Sequence, residues 1–174
     1  GEDLHRRLQR GPLTITEAIE LGARIAAALA AAHALDIVHR DIKPSNIFLP
    51  GGKIEDAKLL DFGVARLRHD ERALTRTGAM IGTLGYMAPE QARGERDLDG
   101  RADLFSLGCV LHECLAGTAA FSGEHAMAVL AKILLDQAPR LRSLRADVPA
   151  ALDELVASLL AKRAVDRPAS AAAV

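Results

Sequence analysis

The chain has 174 residues, 49% of them hydrophobic and 26% charged, with a net charge of -1, a balance that suits one folded domain and not a disordered segment. So small a charge gives no electrostatic case for nucleic acid or an anionic membrane, and four Phe and one Tyr without Trp supply no base-stacking surface. The longest apolar run, Ile25 to Ala32, falls far short of the roughly 20 residues of a membrane span, and the chain opens on no signal-peptide pattern.

In chain order, Glu2 to Gln9 reads as a short polar helix ended by Arg10-Gly11-Pro12. Thr14 and Glu17 stand at capping-box spacing, and Leu21, Ile25, Ala28, Leu29 and Ala32 then recur on one face, which predicts a helix of about five turns ending near Leu35. Ile37-Val38 reads as a short strand. Ile47 to Leu49 reads as a second, closed by Pro50-Gly51-Gly52, and Ala57 to Leu60 as a third running into Asp61. Two strands about one turn bring Asn46 and Asp61 near each other.

From Val64 to Met87 the periodicity is lost and Arg, Thr and Gly accumulate; a long irregular loop inside a compact domain is usually functional. Arg101 to Gly117 predicts a helix apolar nearly all round, and so a buried central post. Its Cys109 and Cys114 are the only cysteines. They point to different sides, too far apart for an easy disulfide, which fits a reducing, cytoplasmic setting. Met127, Leu130, Ala131 and Leu134 mark an amphipathic helix. Pro149 opens another with Leu152, Leu155, Val156, Leu159 and Leu160 on one stripe. Asp166-Arg167-Pro168 is a turn, and Ser170 stands where it would cap a last helix. The expected fold class is mainly α with short β-hairpins, in one domain over residues 1–174.

The chemistry concentrates in His39-Arg40-Asp41-Ile42-Lys43-Pro44-Ser45-Asn46. A carboxylate, an ammonium and a carboxamide stand there at fixed spacing on a segment stiffened by proline. Phosphoryl transfer needs a carboxylate near the attacking hydroxyl, a cation on the transferred phosphate and hard oxygen ligands for magnesium. Asp41, Lys43 and Asn46 are the candidates in that order, with Asp61 as a second magnesium ligand. His39 reads as a packing and hydrogen-bonding residue, not a general base.

The His-Arg-Asp segment is followed by Asp61-Phe62-Gly63 and by Ala88-Pro89-Glu90. With these three motifs in this order, the chain resembles the eukaryotic-like Ser/Thr protein kinases, in particular the bacterial ones. The likeness covers nearly the whole chain but only the C-terminal, large lobe of that family. It implies a protein-kinase-like fold, ATP and Mg2+ as cofactors, and protein substrates accepting phosphate on Ser or Thr, for which Lys43 is the family's mark. Residues 61–90 match the activation segment. Thr75 and Thr77 there match the autophosphorylated site of bacterial relatives, and Arg40 and Arg66 the positions that receive the phosphate; polar residues of a loop are the plainer alternative.

The resemblance further implies that Thr83 hydrogen-bonds Asp41 and Lys43, and that Phe62 is a buried ring with Gly63 freeing the backbone behind Asp61. Glu90 and Arg167 match a buried ion pair, and Asp103 matches the residue that holds the backbone near His39 and Arg40. Phe48 matches the floor under adenine, or is an ordinary core residue.

No Gly-x-Gly-x-x-Gly, strand lysine or partner glutamate precedes His39. The expectation is therefore that the N-terminal lobe is absent, that it is a partner this chain needs for turnover, and that its loss exposes an apolar patch. A pseudokinase or docking module using the lobe as a protein-binding surface is the rival reading. A small-molecule phosphotransferase is a second, against which Glu90, Arg167 and the Thr75/Thr77 loop weigh.

Overall fold

A computed structural model describes residues 1–61 and 84–174. Phe62, Gly63, Arg66, Thr75, Thr77 and Thr83 lie outside the described residues.

The chain begins with strand β1 (Glu2–Asp3) and not with helix. Asp3 then accepts the Arg6 amide at 2.8 Å and so caps α1 (Leu4–Leu8). The polar reading of Glu2 to Gln9 missed both the strand pairing and the complete burial of Leu4. Helix α2 (Ile15–His33) starts where the capping box put it. The Glu17 amide donates to Thr14 Oγ1 at 3.2 Å, and the Thr14 amide to Glu17 Oε2 at 2.8 Å.

The expected strand at Ile37-Val38 does not form. The Ile37 amide turns back to the Ala32 carbonyl at 3.0 Å, and Asp36 takes φ +57, so this stretch unwinds α2 instead of pairing. Strand β2 (Ile47–Leu49) forms as read, with its turn at Pro50–Gly52. Strand β3 is confined to Lys58–Leu59, because Ala57 still closes the turn Ile54–Asp56. Among the described residues the three strands make one antiparallel sheet in the order β1-β2-β3, with Glu2 opposite Leu49 and Ile47 opposite Leu59.

After the undescribed stretch come α3 (Pro89–Ala92), α4 (Arg101–Ala116), α5 (Ala126–Leu135), α6 (Leu141–Leu144) and α7 (Ala150–Leu159). Helix α4 is the central post: only Arg101, Glu113 and Ala116 along it are not buried. It packs on α2 and α7 and ends at Gly117, whose φ of +73 is the left-handed cap that a residue without Cβ adopts freely. Cys109 and Cys114 are buried free thiols on it.

On α5 the buried pair is Val129 and Ile133, while Met127 is 69% exposed. The stripe Met127, Leu130, Ala131, Leu134 was therefore one position out of phase, an error invited by a helix with apolar residues on every side. The stripe on α7 holds: Leu152, Val156, Leu159 and Leu160 are buried, and Leu155 packs half-buried against the core. Beyond it are two single turns, Ala164–Asp166 and Ala171–Ala173. Ser170 precedes the second but makes no side-chain cap.

Candidate active site

Pro44 sets the local geometry. A residue before proline is driven from the helical region, and Lys43 is extended at φ -158, ψ 162. Proline then suits the first position of a tight turn, here Pro44–Asn46, closed by the Asn46 amide on the Lys43 carbonyl at 3.0 Å. The extended residue followed by a turn brings two side chains back onto Asp41. Lys43 Nζ donates to Asp41 Oδ1 at 3.0 Å and Oδ2 at 2.7 Å. Asn46 Nδ2 donates to Asp41 Oδ2 at 3.0 Å and to the Asp41 carbonyl at 2.8 Å. The Asp41 carboxylate is thus aimed by a cation and an amide while about a third of its side chain stays open to solvent.

His39 is buried and knits this loop to the sheet. Its Nδ1 accepts the Asp41 amide at 3.3 Å, which leaves the proton on Nε2 to donate to the Leu60 carbonyl at 2.8 Å. The Leu60 amide in turn reaches the Asn46 carbonyl at 2.9 Å, so the backbones at Asn46 and Leu60-Asp61 run side by side. Both Asn46 Nδ2 protons face Asp41, and among the described residues nothing donates to Asn46 Oδ1. The Asp61 carboxylate is exposed, on a residue at φ +59. Two hard oxygen donors on adjacent backbones fit magnesium.

Beneath the loop, Asp103 in the first turn of α4 is fully buried and accepts the His39 amide at 2.8 Å and the Arg40 amide at 2.7 Å. Arg40, whose own amide is the second of these, stands at φ +68. Gln91 Nε2 donates to the Arg40 carbonyl at 3.0 Å, while Gln91 Oε1 takes the Ala88 amide. Reading the motifs alone missed Gln91; its place three residues after Ala88, at the end of a Pro-started helix, is the signal that marks it.

Glu90 meets Arg167 in a two-pronged pair at 2.6 and 2.8 Å. Tyr86, also missed, hydrogen-bonds Glu113, and Ser106 Oγ holds the Tyr86 carbonyl at 2.7 Å. Burial first, and the Glu113 charge second, push the Tyr86 hydroxyl far above its ordinary pKa, so it stays a donor. Phe48 is half-buried on β2, between the buried Ile47 and Leu49 that face the other way. Exposed apolar side chains flank the loop at Leu35, Ile37 and Leu60.

The family described as protein kinase domain matches residues 1–174. The chain is 41% identical over 172 residues to serine/threonine-protein kinase PknH of Mycobacterium bovis, covering 98% of this chain and 28% of that protein. It is 43% identical over 164 residues to PknD of Mycobacterium tuberculosis, 94% of this chain and 24% of that protein. With pkn3 of Myxococcus xanthus it shares 38% identity over 181 residues, 99% of this chain and 33% of that protein. The chain therefore spans about a quarter to a third of the length of these relatives.

Proposed function

Because this chain belongs to the protein kinase family, we propose that its protein transfers the γ-phosphoryl group of Mg-ATP to Ser or Thr hydroxyls of protein substrates. The observation that carries this reading is the Asp41 carboxylate, held at once by Lys43 Nζ and Asn46 Nδ2. Asp41 takes the proton of the attacking hydroxyl as that oxygen bonds to the γ-phosphorus and the bond from that phosphorus to the bridging oxygen breaks, with ADP leaving. Lys43 keeps the carboxylate in line and offers positive charge where the transferred phosphate gathers negative charge.

Asn46 Oδ1 and Asp61 would hold magnesium, which supplies charge to the ATP phosphates. Phe48 would form the floor under adenine. Thr75 and Thr77 are the proposed phosphorylation sites, whose phosphate Arg40 and Arg66 would receive, and Thr83 would orient Asp41 and Lys43. In this reading the chain is the C-terminal lobe with its activation segment at 61–90, works in a reducing cytoplasmic setting, and turns over only with an N-terminal lobe.

The test is Mg-dependent transfer from γ-labelled ATP by the full-length protein, with Asp41→Asn, Thr75→Ala and Thr77→Ala beside it. Asp41→Asn is expected to lower the rate about 10²- to 10⁴-fold with its melting curve unchanged. Mass spectrometry is expected to find label on Thr75 or Thr77. The isolated chain should be silent. No transfer to itself or to a generic protein acceptor by a folded, ATP-binding protein would leave the docking module as the better account.

A further inference from the structure

We propose that the cavity between α7 and residues 137–141 is a binding site for a small organic carboxylate with an apolar body. Its volume is about 530 Å³, within the range of pockets that enclose small molecules. The lining comes from His112 of α4, residues 137–141, α7 and the turn that follows at 160–166, and no residue of the 39–46 loop takes part. The site therefore stands apart from the phosphoryl-transfer chemistry and does not depend on the kinase reading.

Much of the lining is apolar. Leu141, Val156 and Leu160 contribute to it, all three buried, and Ala157 and Ala161 add only methyl groups. Such a surface takes a hydrocarbon body out of water.

Two cations on the same lining give the charge of the occupant. Lys162 is half-buried. Its Nζ donates to the Ile133 carbonyl at 2.7 Å and the Lys132 carbonyl at 3.2 Å, in the last turn of α5, and lies 4.0 Å from the centre of the Phe121 ring. Carbonyl dipoles and a ring face replace part of its water, but among the described residues no carboxylate lies within ion-pair reach of this ammonium. A charge drawn out of water without a counter-charge is destabilised, and burial above all pulls the Lys162 pKa down to about 8. An anion in the cavity supplies the missing counter-charge.

Arg140 is the second cation, and it is pinned. Its Nε and Nη2 lie 2.9 and 2.8 Å from Asp153 Oδ2; Asp153 is buried, while 52% of the Arg140 side chain is exposed. One edge of the guanidinium is thus tied to a buried anchor, and among the described residues the donors of Nη1 have no partner. A fork already ordered loses little freedom when it takes a second carboxylate. With Arg163, three cations on the lining stand against two carboxylates, Asp153 and Asp166, a balance that favours an anion over a cation.

The probe is 2-naphthoate, compared by titration calorimetry on the full-length protein with 2-naphthol and 2-naphthylmethylammonium, a neutral and a cationic molecule on the same ring system. The carboxylate is expected to bind about tenfold more tightly than either, with added salt narrowing the gap. Ala157→Phe fills the apolar space and should weaken 2-naphthoate about tenfold or more. Lys162→Gln keeps a donor for the α5 carbonyls without the charge, and Arg140→Lys keeps a cation for Asp153 without the fork. Each should weaken 2-naphthoate about 3- to 10-fold and leave 2-naphthol within about twofold. Arg163→Gln, at a side chain 76% exposed, repeats the charge test at a position where folding is not at stake. Saturating Mg-ATP should leave 2-naphthoate binding unchanged. Equal affinity for the three probes, displacement by ATP, or 2-naphthoate binding that survives Ala157→Phe undiminished overturns the proposal.

Discussion

Arg167 is committed at every donor. Besides its two bonds to Glu90 it donates to the Ala161, Arg101 and Lys162 carbonyls and lies over the Phe105 ring at 5.0 Å. Its side chain has no exposed surface, and that of Glu90 only 10%. Arg167→Met should therefore cost about 3–5 kcal/mol in urea unfolding, mostly because the Glu90 carboxylate is left buried without its counter-charge. Glu90→Gln combined with Arg167→Met should lose less than Arg167→Met alone; an equal or larger loss would show that the carbonyl and ring contacts dominate.

His112 makes a second prediction at this scale. Burial lowers its pKa below the ordinary 6.5, against the opposing pull of the Pro139 and Thr118 carbonyls and the Glu113 and Asp153 charges. The folded protein thus holds this ring neutral where the unfolded chain would already protonate it. Its contribution to stability is complete above about pH 6.5 and is lost as pH falls from there toward the folded pKa. Unfolding at about pH 5.5 and about pH 7.5 should show a stability drop that His112→Gln reduces; an identical drop in the variant would acquit His112.

Between elements, α4 and α7 meet closely. A Cβ on Gly108 would stand 2.8 Å from Leu159 Cβ and 3.1 Å from Leu160 Cδ2. Alanine would gain roughly 1 kcal/mol of helix propensity. Leu159 Cβ, however, is fixed to its own helix backbone and cannot swing away, so overpacking of about 1–3 kcal/mol should win. Gly108→Ala is expected to lower Tm. A raised Tm would mean the two helices can slide apart without loss.

Legibility also varied by element. The capping box at Thr14, the Pro-started α7 and the all-apolar α4 carry their signals within a few residues. Ile37-Val38 and the face of α5 do not, because an apolar pair or an all-apolar helix is assigned its partner only by the surrounding packing. Among the site residues, Asp41, Lys43 and Asn46 announce themselves by spacing on one turn. Gln91 and Tyr86 act across 51 and 27 residues respectively, a separation that a single sequence does not express.

Across the whole molecule, one core runs from Leu4 through α2 and α4 to Ala171. Cys109 and Cys114 sit inside it, and burial pushes both thiols well above their ordinary pKa. Neither should react with an alkylating reagent in the native state, and both should label together at the rate of global unfolding. Labelling of one alone in the folded protein would reveal a local opening around α4.

By itself the sequence determined the family, through three ordered motifs, and the local geometry of the loop, because proline and a turn force neighbouring side chains onto one carboxylate. Only the tertiary structure decided how that loop is held. Asp103, Gln91 and the Glu90–Arg167 pair come from distant elements, and their meeting depends on how α2, α3 and α4 pack, which no local spacing encodes.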